Sequence, residues 1–253
     1  MSALKNLTAE YALRIGDTSL VLGQRLGEWC GHGPILEEDI ALTNISLDLI
    51  GQARAFLTYA GELEGKGRTE DDLAFQRDER DFRNNLMVEQ PNGDYAHTML
   101  RQFFVSAFQY YYFIELCKSK DSTLAALAEK SLKEVTYHLR HSSEWIIRFG
   151  DGTPESNLRM LEAIDTLYRF TGDMFASNDI DNELMKAGIA VDMKVVYANW
   201  IKKVESVFAQ ATLTVPKDCF MITGGIKGIH SEHLGHLLSE MQVLPRSFPG
   251  VEW

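Results

Sequence analysis

The chain has 253 residues, of which 45% are hydrophobic, and it carries a formal net charge of −11 at pH 7. This apolar content is sufficient for a sizeable core and excludes a largely disordered chain. The acidic balance argues against a nucleic-acid-binding surface, because phosphate contacts require clustered lysine and arginine.

The cysteines and the N-terminus together predict a cytoplasmic protein. Cys30, Cys117 and Cys219 are far apart and odd in number, which favours a reducing compartment over a disulfide framework. The N-terminus lacks the uninterrupted apolar segment of a signal peptide. No apolar run approaches the roughly 18 residues of a spanning helix, so we expect no membrane contact.

Helical periodicity dominates the sequence, and convincing alternating strands are absent. The first helix is predicted over about 8–29 with Thr8 as its N-cap, and the second over about 36–63. Residues 68–93 are charged and turn-rich, which predicts a connection packed over the surface with a short helical piece near 78–88. Its apolar residues for docking are Phe75, Phe82 and Leu86.

The second half of the chain continues the helical pattern. An unusually aromatic helix is predicted over about 94–118, either buried among other helices or at an interface. A short turn leads into the helix over 124–149, so these two helices should be antiparallel neighbours. Further helical segments are predicted at about 154–176, 179–186, 192–212 and 231–244, the last one halted by Pro245.

The apolar stripe of the helix over 124–149 becomes polar at its centre. In steps of seven, one line of this stripe reads Leu124, Ser131, His138 and Trp145, and the other Leu127, Glu134 and His141. Both lines share one face of a helix. A carboxylate and imidazoles in a helical core cost free energy unless they are paired or bind a metal.

Four long helices with such a core point to a ferritin-like bundle. Its active versions place Glu from two helices and a Glu-x-x-His pair from each of the other two around two metals. Here Tyr137 stands where the histidine after Glu134 is required, and His138 lies about 100° further round the helix. The corresponding position of the second helix holds Asp48 without an imidazole.

The first and third helices weaken the donor set further. Gln24 and Glu28 compete for the inward position of the first helix, and the third offers Gln102 and Gln109 among its aromatic residues. We therefore interpret the core as a degenerate polar remnant with no catalytic, cofactor-binding or metal-binding residue, and an intact di-metal centre is the competing interpretation. The vestigial di-iron positions are Gln24, Asp48, Glu134, Tyr137 and His138.

Two further polar groups keep alternatives open. Asn44, Asp48 and Gln52 form a line along the second helix that is either a solvated face or points inward. His230, His233 and His236 follow the Gly-rich segment GGIKG, where capping and interface roles are favoured over a metal site. GGIKG lacks the spacing of a phosphate-binding loop, so contact with a partner or an acyl-CoA phosphate stays open.

Long motifs nearly throughout the chain resemble one family. They lie at 20–57, 72–103, 133–145 (KEVTYHLRHSSEW) and 223–246, and they are similar to the PaaC family of the bacterial phenylacetyl-CoA 1,2-epoxidase complex. The resemblance implies a ferritin-like fold and a structural, non-catalytic subunit that pairs with a homologous catalytic subunit holding the di-iron centre. It also implies a small accessory subunit and an NADPH-dependent reductase, in an oxygenase of aerobic phenylacetate breakdown.

We therefore predict an all-α protein, with a ferritin-like four-helix bundle core and additional C-terminal helices in a single domain over 1–253. No cofactor is expected in this subunit, and self-association is left open. The first rival function is a di-iron carboxylate oxygenase in its own right. The second is a ferritin-like storage or binding protein.

Overall fold

The computed structural model describes residues 3–251, which form helices and loops without a β-strand. The helices are α1 (Ala3–Gly27), α2 (Leu36–Glu64), α3 (Glu70–Phe75), α4 (Tyr95–Leu116), α5 (Ser122–Gly150), α6 (Pro154–Leu167), α7 (Thr171–Met174), α8 (Asp179–Ala187), α9 (Met193–Gln210) and α10 (Glu232–Ser247). The predicted all-α, ferritin-like class with additional C-terminal helices is confirmed. None of these helices is both long enough and apolar enough to cross a membrane.

The chain divides into two compact units. Unit 1 combines the residues up to Gln90 with those from Gly224 onward, and unit 2 comprises Pro91–Thr223. The single ferritin-like domain over 1–253 stays a prediction.

In unit 1, the long helices α1 and α2 pack closely side by side. A Cβ atom on Gly16 would lie 2.8 Å from the Leu57 side chain, and one on Gly23 would lie 3.3 Å from the Ser46 carbonyl oxygen. From Gly16 to Gly23 the residue number rises along α1, while the contacted residue of α2 falls from Leu57 to Ser46. The two helices are therefore antiparallel. Because glycine has no side chain, the two backbones approach closely at both positions. The core between α1, α2 and their neighbours includes Leu22, Leu26, Ile45, Leu49 and Phe56, all fully buried.

The connection after α2 is more buried than its charge predicted. The predicted helical piece near 78–88 is wrong, because the chain there forms two separate 3-10 turns, Glu79–Asp81 and Leu86–Glu89. The predicted surface location is also wrong for residues 84–90, every one of which is buried. Docking through Phe82 and Leu86 is confirmed, since both side chains are buried.

In unit 2, α4 and α5 form an antiparallel pair, as predicted. Tyr95, at the start of α4, contacts Trp145 and Phe149 near the end of α5, with ring centroids 5.3 and 6.0 Å apart. Aromatic residues of α4 contribute to the core of unit 2. The ring centroid of Phe104 lies 5.7 Å from that of Trp200 on α9. The Trp200 indole N–H also donates a hydrogen bond to the Phe104 carbonyl oxygen at 3.0 Å.

Three predicted helix ends are wrong. Thr8 is not an N-cap, because α1 begins at Ala3 and the Thr8 hydroxyl donates to the Leu4 carbonyl oxygen at 2.9 Å. The helix predicted over 154–176 ends at Leu167, where a 3-10 turn follows. Pro245 lies inside α10, and the side chain of Arg246 anchors this last turn by donating to the Arg77 carbonyl oxygen at 2.7 Å.

Candidate functional site

The polar centre of α5 is divided between the core and the surface. His138 is fully buried, as is Ser131 one heptad before it at 3% exposure, whereas Glu134 and His141 are half-buried. Tyr137 is 41% exposed and stacks on His141 with ring centroids 6.0 Å apart. The expectation that Tyr137 fills an inward position while His138 is turned aside is therefore wrong. One residue corresponds to about 100° of rotation round the helix, so His138 occupies the buried position and Tyr137 the exposed one.

The glutamines of α4 are buried neutral groups in the same unit. The Gln102 amide N–H donates to the Ser106 hydroxyl at 2.9 Å, and both residues are fully buried. Gln109 is 2% exposed, and within residues 3–251 neither atom of its amide has a hydrogen-bond partner. An amide cannot neutralise a cation as a carboxylate does, so α4 presents weak donors where an active bundle presents an acid.

The candidate residues of α1 and α2 are less buried. Glu28 is exposed and pairs with Arg25 at 2.8 Å, which leaves the half-buried Gln24 as the more inward of the two competing residues. On α2, Asn44 is exposed, Asp48 is half-buried and Gln52 is 4% exposed. This polar line is therefore solvent-exposed at Asn44 and buried at Gln52. The solvated-face interpretation holds for its start and the inward-pointing interpretation for its end.

The donor set does not fit a di-metal carboxylate centre. Such a centre draws on about four carboxylates and two imidazoles. The predicted positions supply two half-buried carboxylates, Asp48 and Glu134, and one buried imidazole, His138, together with the neutral Gln24 and the outward Tyr137. Within residues 3–251, no group of three or more His, Cys, Asp or Glu residues is placed to hold a metal ion. The description of these positions as vestigial stays a prediction.

Unit 1 contains a buried carboxylate that the sequence patterns did not indicate, and we call its surroundings the Glu89 cluster (Arg25, Asn84, Glu89, His230 and Ser231). One Glu89 carboxylate oxygen accepts from the Asn84 amide at 2.9 Å and from His230 Nδ1 at 2.5 Å. The other accepts from the Ser231 backbone N–H at 2.9 Å and from its hydroxyl at 2.7 Å. The Arg25 guanidinium donates to the Glu89 carbonyl oxygen at 2.9 and 3.1 Å. The carboxylate is thus fully buried and receives four hydrogen bonds.

His230 is the cationic group that faces the Glu89 carboxylate. Its Nε2 lies 3.0 Å from the Phe82 carbonyl oxygen and its Nδ1 faces the Glu89 carboxylate, so both ring nitrogens donate. Burial by itself lowers the pKa of His230, but the hydrogen bond and negative charge of Glu89 outweigh it and raise the pKa above its ordinary value. Both nitrogens are therefore occupied, which counts against the metal alternative for the group that includes His233 and His236.

A second buried ion pair joins α1 to the same connection, and we call it the Asp17 cluster (Asp17, Arg77 and Arg83). Asp17 is fully buried and Arg77 is 4% exposed. The Arg77 guanidinium donates to both carboxylate oxygens, one of them at 3.0 Å, and the Arg83 backbone N–H donates at 2.8 Å. The bidentate geometry and the added N–H bond are what a buried pair requires. The available signal was Asp17 itself, an acid in the largely apolar middle of α1.

Comparison with known proteins places these features in a family. Residues 2–253 match the family model described as phenylacetic acid catabolic protein. The C subunit of the 1,2-phenylacetyl-CoA epoxidase of Escherichia coli (strain K12) is 52% identical over 250 residues, covering 99% of this chain and 100% of that protein. The resemblance inferred from the sequence motifs is confirmed.

Proposed function

This chain belongs to the family of phenylacetic acid catabolic proteins, and we propose that it is the structural, non-catalytic subunit of a phenylacetyl-CoA 1,2-epoxidase complex. The observation that carries the proposal is the 52% identity to the C subunit of such an epoxidase, which covers 99% of this chain and all of that protein.

The donor set supports a non-catalytic role. Gln102 and Gln109 stand on α4 in place of an acid, Tyr137 is largely outward, and Gln24 is neutral. Iron chemistry of the di-metal carboxylate type needs anionic oxygen donors to balance two cations. The two half-buried carboxylates at the predicted positions are too few for that purpose.

The proposed partners follow from this role. A homologous catalytic subunit holds the iron, and a small accessory subunit and an NADPH-dependent reductase complete the complex. The chain itself carries no cofactor and acts by stabilising the catalytic bundle. A cytoplasmic location is supported by the free thiols of Cys30, Cys117 and Cys219.

The competing function is a di-iron carboxylate oxygenase that is active without a partner. The full burial of His138 favours it, because an inward imidazole is a common iron ligand in such bundles. Asp48 and Glu134 would have to supply the carboxylates in this case.

Iron content and turnover separate these functions. The chain, produced in iron-supplemented medium, is assayed for bound iron and for oxidation of phenylacetyl-CoA, alone and together with the homologous catalytic subunit, in both cases with the accessory subunit, the reductase, NADPH and O2. We expect substoichiometric iron and no turnover for the chain alone, and turnover in the mixed complex. Stoichiometric iron in the chain alone, lost in the variant Glu134→Gln but retained in the exposed control Glu162→Gln, would contradict the proposal.

A further inference from the structure

The loop that precedes α4 in unit 2 contains an asparagine followed by a glycine, Asn92 and Gly93. The other eight asparagines of the sequence are each followed by a residue with a side chain. Glycine leaves its own backbone nitrogen unshielded, because it has no Cβ atom. A backbone nitrogen in this position can attack the preceding side-chain amide, which is the reaction by which asparagine loses ammonia.

The fold requires glycine at position 93 and leaves it accessible. Gly93 is exposed, has a left-handed φ of 57°, and would bring a Cβ atom to 3.0 Å from the His97 side chain. The half-buried Asn92 also lies outside the helices, so the loop can change its backbone angles without breaking a helical hydrogen bond. Asn44 provides the contrast: it is exposed, but it lies within α2 and is followed by the β-branched Ile45.

Two residues of α4 polarise the carbonyl groups of Asn92. The guanidinium of the fully buried Arg101 donates to the side-chain oxygen Oδ1 at 2.5 Å. The Thr98 hydroxyl donates to the main-chain carbonyl oxygen at 2.8 Å. When a nitrogen bonds to the side-chain carbon, negative charge develops on Oδ1, and a fixed cationic donor stabilises that charge as an oxyanion hole does.

We propose that Asn92 is a site of spontaneous deamidation in the folded chain. The Gly93 nitrogen gives its proton to hydroxide and bonds to Asn92 Cγ, while the Cγ–Nδ2 bond breaks and the amide nitrogen leaves as ammonia. Water then opens the resulting five-membered imide at either carbonyl, so the net reaction consumes one water and needs no oxidant or cofactor.

The two products differ in their effect on the loop. Opening at the side-chain carbonyl gives aspartate, whose carboxylate lies beside Arg101, so a hydrogen bond to a neutral amide becomes an ion pair. Opening at the main-chain carbonyl gives isoaspartate, which carries the chain through Cβ and lengthens the backbone before α4. Either product adds one negative charge to the chain.

Peptide mapping by mass spectrometry tests the site in the full chain, incubated under native conditions at neutral and at mildly alkaline pH and then digested in acid. Conversion of Asn92 to an acid should be at least tenfold faster than that of Asn44 in the same digest. It should accelerate at alkaline pH, because the Gly93 nitrogen attacks in its deprotonated form. Equal rates at Asn92 and Asn44 would overturn the site. A folded chain that reacts far more slowly at Asn92 than a synthetic peptide of residues 88–97 would overturn the activation by Arg101.

Two variants sharpen the test. Asn92→Gln keeps the amide but would have to form a six-membered ring, so it should show no acidic species on ion exchange while the wild-type chain accumulates one. An acidic species that forms equally fast in both chains would contradict the assignment to Asn92. Asn92→Asp supplies the aspartate product from the start, and its thermal midpoint should equal or exceed that of the wild type, because Arg101 gains a charged acceptor. A lower midpoint would exclude the ion pair. These measurements use the chain alone, so their failure leaves the proposed function untouched.

Discussion

The Glu89 cluster of unit 1 and the buried Gln109 amide of unit 2 differ in how their polar atoms are satisfied. Glu89 and Gln109 are almost equally inaccessible, at 0% and 2% exposure. The Glu89 carboxylate accepts four hydrogen bonds and faces a protonated histidine, whereas neither atom of the Gln109 amide has a partner within the described residues 3–251. A buried charge without partners would cost far more than a buried amide without partners.

This difference separates polar groups that stabilise a fold from polar groups that a fold tolerates. Both oxygens of the Asp17 carboxylate and of the Glu89 carboxylate accept hydrogen bonds, and each cluster joins segments that are distant in the sequence. Burying the Gln109 amide costs free energy that no hydrogen bond within the described residues offsets. Substitutions in the two regions should therefore change stability with opposite signs.

The largest effect is expected when one partner of the Asp17 cluster is removed. Arg77→Met leaves a fully buried carboxylate without its guanidinium, which should lower the free energy of unfolding by about 3–5 kcal/mol. The control is Arg159→Met, because the Arg159 side chain is 53% exposed and pairs with Glu155, so the loss should be much smaller. Urea unfolding measures both, and equal losses would contradict the structural role of the cluster.

The next effect concerns the charge of Glu89. Glu89→Gln keeps the shape of the side chain but points an amide N–H at donors, and it should lower the free energy of unfolding by about 2–3 kcal/mol. Glu28→Gln is the control, because Glu28 forms a partly exposed pair with Arg25. A loss for Glu89→Gln no larger than for Glu28→Gln, in the same denaturant titration, would show that the four hydrogen bonds matter little.

The Glu89 cluster should also make stability depend on pH. The pKa of His230 is raised in the folded state, so between the unfolded value of about 6.5 and the folded value the folded chain binds the extra proton. The contribution is complete below pH 6.5 and is lost as the pH rises through the folded pKa, with a slope of at most about 1.4 kcal/mol per pH unit. Thermal unfolding measured from about pH 6 to about pH 9, which includes the pH values at which histidines titrate, should show this loss of stability.

His230→Gln should remove that part of the slope, while the exposed His236 offers the control substitution His236→Gln, which should retain it. An unchanged slope in His230→Gln would mean that other groups cause the pH dependence.

The smallest effect is a gain. Gln109→Leu replaces an amide without hydrogen-bond partners by an apolar group, and it should raise the free energy of unfolding by about 1 kcal/mol. Gln102→Leu is matched in burial but breaks the hydrogen bond to Ser106, so its gain should be smaller or absent. A loss of stability in Gln109→Leu would show that the amide has a stabilising partner.

The sequence predicted the helices better than the connections. The predicted helix over 36–63 agrees with α2 to within one residue, because its apolar period is clear and Gly65 ends it in a left-handed conformation with φ 68°. The burial of residues 84–90 was not predicted, because the partners of their polar groups lie far away in the chain. Glu89 and His230, for example, are separated by 141 residues.

The candidate site shows a different failure. The family pattern was aligned on Glu134, which assigned the inward position to Tyr137. The burial pattern of α5 itself runs through Ser131, Val135 and His138, at steps of four and three residues. The heptad line that contains Ser131 and His138 had placed His138 in the core, and it disagreed with the ligand pattern. The residue types gave the number of possible metal donors. The direction in which each donor points depends on how the helices pack, which the sequence did not give.

Unit 1 is discontinuous in the sequence, and this sets an order of events during synthesis. Glu89 leaves the ribosome 141 residues before His230. At about 5–20 residues per second, the carboxylate waits roughly 7 to 28 s for its cationic partner. During that interval the contiguous unit 2 emerges complete. The segment around Glu89 still lacks the residues from Gly224 onward, which complete unit 1. A nascent chain interrupted in this window offers chaperones and proteases a surface that the finished protein does not present.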